Sequence, residues 1–208
     1  MDAVKRRYDA SGRRERAAQV RTALLDAAHA MLLQQGYAGT SIPNIAVACA
    51  VSVDSVYKRF PGKAALVRAV VERALEGSGP VPAQTRSDAL ASDDLPALLH
   101  SWGQLSAEVS PRVAPVLLLV RDAALQDPSL AAFARELDDS RRARMTHNAQ
   151  RLADAGHLPR RCRVEHAADI LWTYSSPELY ELLVLRSGWE LARYGSFITD
   201  GLAAHLSP

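Results

Sequence analysis

Between Thr40 and Lys63 the sequence sets hydroxyl, aromatic and basic side chains at helical spacing. Asp54, Ser55, Lys58 and Arg59 are placed to share one side of a short helix with the hydroxyl of Tyr57. Val56 and Phe60, four residues apart, are placed to face inward together. The chemistry open to such a face is hydrogen bonding to base edges in a major groove. A lysine donates to guanine O6 and N7, a carboxylate accepts from cytosine N4, and Val53 can touch a thymine methyl. Asp54 has a second role within reach, since a carboxylate in the first turn complements the helix dipole.

Two short helices with a tight turn must position these groups. Thr40 or Ser41 supplies a capping oxygen to the first, and Pro43 falls where a missing N–H costs little. Ile45 and Ala46 point inward before Cys49. Ala50-Val51-Ser52 forms the turn, and Ser52 caps the second helix, Val53 to Phe60. Ala50 suits that turn only if the backbone there keeps a negative φ. Upstream, Val20, Leu24, Ala28, Met31 and Leu32 keep a helical stripe from about Arg14 to Gln35, and Gly36 is a natural residue to end it. Downstream, Pro61-Gly62-Lys63 opens a helix to Glu76 with Leu66, Val67, Val70, Val71 and Leu75. Arg13, Arg14 and Arg16 crowd the start of one helix and Lys63 the start of the other. The helix dipole disfavours cations there, so an outside anion is the expected partner.

Thr40, Ser41, Ile45, Ala46, Val51, Ser52, Tyr57, Phe60 and Lys63 stand in the register T-S-x-x-x-I-A-x-x-A-G-V-S-x-G-T-L-Y-x-x-F-x-x-K, and with Arg21 to Tyr37 upstream they resemble the DNA-binding domain of the TetR family of transcriptional repressors. Ala50 and Asp54 depart from the glycines of that pattern. The resemblance implies an all-α chain with an N-terminal three-helix, helix-turn-helix DNA-binding domain, followed by a larger helical ligand-binding and dimerisation domain. It implies DNA contacts by Thr40, Ser41, Ser52, Val53, Asp54, Ser55, Tyr57, Lys58 and Lys63, with Thr40, Tyr57 and Lys63 on phosphates. The expected organisation is a flexible basic arm at 1–13, the DNA-binding domain at 14–62, a connecting helix at 63–76 and the effector and dimerisation domain at 77–208.

Charge agrees with an anionic partner at one end. Residues 1–76 hold 12 Lys and Arg against 7 Asp and Glu, whereas residues 77–208 hold 13 against 16. The start has no apolar core of a secretory signal, and the apolar run Val113 to Val120 is too short to span a membrane, so the cytoplasm is the expected compartment. Cys49 and Cys162 make no metal or redox spacing, the six histidines are scattered, and no Walker loop, GxSxG or GxGxxG occurs. An enzyme, a cofactor and a metal site are therefore not expected.

The remainder reads as helices only. Gly77 to Asp94 has a linker composition. Helices are expected from about Asp94 to Val109 and, after Ser110-Pro111, to about Gln126. Others run from Asp127-Pro128 to about Ala155, with an Asp138–Arg142 pair on a solvated face, and from Glu165 to Ser175. Ser176-Pro177-Glu178 caps a continuation to Arg186, and a last helix spans Trp189 to Leu206. In the last helix Gly195, Ser196, Thr199, Gly201 and Ala203 would let another helix approach closely. The segment Trp172 to Tyr180, W-x-x-x-S-P-E-x-Y, resembles a subgroup of the same family. That family dimerises through its last two helices, which implies a homodimer through residues 165–206. It also encloses a small molecule in the C-terminal helices. By position Val71, Leu98, Trp102, Leu105, Leu119, Met145, Trp172 and Tyr174 would line such a pocket, with His100, Arg121 and Asn148 as polar anchors for a hydrophobic or aromatic effector. Two other readings stay beside this one: a ligand-independent, architectural DNA-binding protein, and a helical enzyme or small-molecule binding module.

Overall fold

A computed structural model describes residues 10–76, 81–90 and 93–207. They form helices α1 (Ala10–Gly39), α2 (Ile42–Ala48), α3 (Val53–Arg59), α4 (Lys63–Glu76), α5 (Ala83–Asp88), α6 (Leu95–Ala123), α7 (Pro128–Asp154), α8 (Val164–Tyr174), α9 (Pro177–Tyr180) and α10 (Leu191–Leu206). A π-helical turn, Glu181–Arg186, continues α9. No β-strand occurs among the described residues, so the all-α expectation holds. The chain divides into two units, one ending at Val70 and one beginning at Val71.

The first unit is built as its pattern predicts. Leu24, Leu25, Ala28 and Leu32 of α1 are buried, as are Ile42, Ile45 and Ala46 of α2, Val56 of α3, Phe60, and Leu66 and Val67 of α4. Helix α1 breaks at Gly36, whose φ of 69° is left-handed, so the predicted stop is where the helical path ends. The start of α1 reaches into the segment expected as a basic arm. Residues 1–9 lie outside the described residues, but Ala10 to Arg13 are already helical. Arg14 and Arg16 therefore fall beyond the first turn described, where the dipole penalty has faded.

In the second unit α6 and α7 are consecutive long helices joined by a short turn, and α10 and α8 pack against them. Three expectations fail here. Ser110-Pro111 does not divide α6, which runs unbroken through Pro111 and Pro115. Each proline removes one helix hydrogen bond, but packing against α10 holds the rod together. The two helices touch at glycines: a Cβ on Gly103 would lie 2.6 Å from the Gly195 carbonyl oxygen.

The linker contains α5. Bidentate hydrogen bonds from Arg86 to Glu108 (2.6 and 2.8 Å) fasten it, as do those from Arg151 to the carbonyls of Ser87 and Leu90 (2.9 and 2.8 Å). Finally, Asp138 pairs with Arg141 at 2.7 Å rather than with Arg142, which reaches Asp169 of α8 instead. No helix among the described residues is long and apolar enough to cross a membrane.

Candidate functional site

The turn between α2 and α3 is fixed by backbone hydrogen bonds. Val51 N–H donates to the Ala46 carbonyl (3.0 Å) and Ala50 N–H to the Val47 carbonyl (3.1 Å), the double bond pattern of a Schellman cap. Ala50 pays for it with a φ of 52°. The turn thus demands the left-handed conformation that the sequence was expected to avoid, and an alanine adopts it. Ser52 Oγ accepts from Ser55 N–H (3.2 Å) and lies 2.8 Å from Ser55 Oγ, starting α3 as predicted. Ser41 Oγ accepts from Asn44 N–H (3.2 Å) and starts α2.

Buried Val56 and Phe60 fix the phase of α3 and turn Asp54, Tyr57, Lys58 and Arg59 outward. Val53 and Ser55 are half-buried at the edge of that face. Arg59 donates to the Ser55 carbonyl at 3.1 Å, which steadies its guanidinium along the helix. Exposed Asn44 and Val47 of α2 were not among the sequence candidates. Val47 is 79% exposed, and an apolar residue so open on α2 is visible only once the helical phase is known.

Two expected phosphate contacts are otherwise engaged. Thr40 is buried and its hydroxyl donates to the Gly36 carbonyl (2.9 Å), closing the break in α1. The Lys63 ammonium donates to the Tyr37 carbonyl and sits 3.9 Å from the centre of the Tyr37 ring. A carbonyl and an aromatic face inside the unit thus stabilise the cation at the start of α4. Cys49 donates to the Ala23 carbonyl at 3.5 Å, and burial followed by the Asp26 charge raises its thiol pKa. It is a packing residue.

The second unit contains a cavity of about 650 Å³ between α6, α7, α8 and α10. Of the predicted lining, Trp102, Leu105, Arg121, Met145, Asn148 and Tyr174 reach it. Val71 and Leu98 are core, and His100 is exposed with its ring 2.9 Å from the Gln104 amide. Leu119 is off the wall although its neighbours Leu117 and Val120 line it, and the Trp172 ring instead lies against the guanidiniums of Arg141 and Arg142. Polar wall residues absent from the sequence candidates include Ser110, Arg141 and Tyr194. Burial raises the pKa of Tyr194, and a hydrogen bond with Ser110 opposes that shift in part. Arg121 pairs with Asp122 and Glu178, Arg141 with Asp138, and Arg144 with Asp88. Among the described residues no group of three or more His, Cys, Asp or Glu side chains could hold a metal ion.

Residues 24–70, which contain this helix-turn-helix, match the family model of bacterial regulatory proteins, tetR family. This segment is a TetR-family DNA-binding domain. Solved structures of similar fold extend over both units. The complex of SmeT with triclosan is 22% identical, with 91% of this chain and 92% of that one covered and a TM-score of 0.70. NalD, the secondary repressor of the MexAB-OprM multidrug efflux pump in Pseudomonas aeruginosa, is 18% identical, with coverage of 92% and 98% and a TM-score of 0.68. A protein of Saccharomonospora viridis in complex with choline is 16% identical, with coverage of 92% and 99% and a TM-score of 0.71. No curated protein matches the sequence. The TetR-family domain accounts for the α2–turn–α3 geometry, and the fold places the cavity in the helices that follow it.

Proposed function

We propose that this TetR-family chain is a homodimeric repressor that binds a near-palindromic operator and is released by a small hydrophobic or aromatic effector. The observation that carries the reading is the pairing, in one chain, of an outward polar α3 with a separate cavity of about 650 Å³, within the size range of ligand pockets. DNA binding alone has no use for the second feature, which weighs against a ligand-independent architectural role.

In this reading α3 of each protomer enters a major groove, with half-sites about 34–36 Å apart or a multiple of that. Val53, Asp54, Ser55 and Lys58 meet base edges, and Tyr57 and Lys63 meet phosphates. A lysine ammonium has three donors, so its bond to Tyr37 is compatible with a phosphate contact. Ser41, Ser52 and Thr40 serve by holding the two helices. The protein works in the cytoplasm, where the DNA is.

Dimerisation through residues 165–206 is supported by exposed Leu182, Leu185 and Leu191. Gly195 and Gly201 no longer argue for it, because Gly103 and Tyr174 of the same chain occupy their close approaches. Selection of bound duplexes from a random pool tests the reading first; a palindromic consensus is expected. The candidate effector is then titrated with and without that operator. Linkage requires the operator to weaken effector binding by the factor by which effector weakens operator binding. Equal effector affinity in both titrations removes effector control.

A further inference from the structure

The cavity of the second unit is long for its volume. Trp102, Leu105, Val109, Val113, Leu117 and Arg121 line it at successive turns of α6, and positions between 134 and 148 line it along α7. At a rise of about 1.5 Å per residue these stretches are about 28 and about 21 Å long. A volume of about 650 Å³ spread over that length leaves a mean section of about 20–30 Å², room for one extended alkyl chain abreast. The two ends differ. Trp102 closes one of them beside Ile198 and Leu202, which the crossing at Gly103 and Thr199 sets next to it; the three are 6%, 2% and 3% exposed. Helix α5 lies over that end, fastened through Arg144 and Arg151. The other end is near the turn that joins α6 to α7. There Arg121 and Glu178 meet at 3.2 Å, Arg135 and Asp138 stand on the early turns of α7, and all four side chains reach solvent.

We infer that the cavity takes a single-chain amphiphile with a carboxylate head, the chain running inward along α6 and the head at the solvent-facing end beside Arg135. This rests on the reading of the cavity as the effector site and names the class of its ligand. The sign of the head follows from pairing. Arg121 has Asp122 and Glu178, Arg141 has Asp138, and Arg144, farther in, has Asp88. Both carboxylates of the wall, Asp138 and Glu178, are thus engaged with arginines, and neither is left for an ammonium head. Arg135 has no ion pair among the described residues. A guanidinium can give a carboxylate two parallel hydrogen bonds. The length of the chain follows from the wall. Each methylene that enters between Leu105, Val109, Val113 and Leu117 leaves water for apolar surface. A compact aromatic acid with its carboxylate at Arg135 ends short of Trp102 and leaves the inner part of that surface unused.

The test is calorimetric titration of the full chain at neutral pH with octanoate, dodecanoate and hexadecanoate, each below its micellar concentration. The compact acid 2-naphthoate and the cation dodecylamine serve as controls. Saturation at one molecule per protomer is expected. Dodecanoate should bind about tenfold or more tighter than octanoate, well within what its added methylenes allow when buried, and hexadecanoate no more weakly than dodecanoate. Dodecanoate should exceed 2-naphthoate by about tenfold. It should exceed dodecylamine by about threefold, the scale of one exposed ion pair. Arg135→Gln, at an exposed position, should remove about threefold from dodecanoate and nothing from dodecylamine. Equal affinity across the chain lengths, 2-naphthoate or dodecylamine bound as tightly as dodecanoate, uptake without saturation at one molecule per protomer, or unchanged dodecanoate affinity in Arg135→Gln would overturn the inference. The chain-length series uses the unaltered protein, so a variant that fails to fold does not spoil it. Operator release is measured in parallel with the selected duplex. Dodecanoate bound at one site without release breaks effector control and leaves the ligand class standing. Release by 2-naphthoate bound more tightly than dodecanoate does the reverse.

Discussion

In residues 10–70 the hydroxyls of Thr40, Ser41 and Ser52 are all engaged with nearby backbone or side-chain atoms, and the Lys63 ammonium is held by Tyr37. In residues 71–207 Trp102 and Asn148 bury polar atoms with no partner, beside a cavity of about 650 Å³. The small unit pairs these polar groups internally, so what it offers a partner lies on its surface. The large unit keeps its unmet valences inside. A surface that must fit a rigid duplex gains from a stiff frame, whereas a site for a small molecule needs room and unsatisfied groups within.

The most severe way to break this comparison is to truncate one side chain in each unit. Ile45→Ala, in the buried core of the first unit, is expected to cost about 2–5 kcal/mol. Leu105→Ala, on a wall that already faces empty space, should cost about 1 kcal/mol, because few packed neighbours are lost. Urea unfolding followed by circular dichroism measures both, and equal costs would show that the cavity closes in solution. Next in size, Lys58→Ala should weaken operator binding about tenfold and remove the preference at one base position. A uniform loss across sequences with a salt slope lower by about 1 would make the lysine a phosphate contact instead.

Ala50→Gly relieves a left-handed alanine, worth about 1–2 kcal/mol, while the freer unfolded chain takes back part of it. A net gain of about 0.5–1 kcal/mol in the thermal unfolding of the first unit is expected, and a loss would mean that the alanine methyl packs usefully. The smallest effect is in alkali. Burial holds the Tyr194 hydroxyl protonated above its ordinary value of 10.0, Ser110 opposing in part. The folded chain therefore binds more protons than the unfolded one above that pH. Stability is intact below about pH 10 and falls as pH rises through the folded-state value. Tyr194→Phe should flatten that limb, as read from melting temperatures at pH 9 and 11.

The sequence announced features set by neighbours a few residues apart. Ser52 as a cap, Gly36 as a stop, Val56 with Phe60 as an inward pair and Asp127 as the start of α7 are all local, and all are present. Features decided across the fold were not legible. Pro111 reads as a break until α10 packs against that part of α6. Arg142 reads as a partner for Asp138 until Asp169 of α8 lies closer to it. Thr40 reads as a surface hydroxyl until the kink at Gly36 offers it a carbonyl. In the cavity the sequence placed Trp102 with Leu105 and Met145 with Asn148 on the wall, each pair one turn apart on its own helix. Leu98, Leu119 and Trp172 lie off that wall, since an apolar residue gives no sign of whether it meets a void or another side chain.

The crossing of α6 and α10 has a bearing on how this protein can change over time. At Gly103 even a methyl group would lie 2.1 Å from Thr199 Oγ1 and 2.6 Å from the Gly195 oxygen, and the same crossing limits position 195 from the other side. Mutation can wander freely through the solvent face of either helix, and through much of the cavity wall as ligands alter. At Gly103 it meets a backbone oxygen too close for any side chain unless α10 shifts, whereas position 195 is only tight, so new specificities must be explored around a pivot set by Gly103.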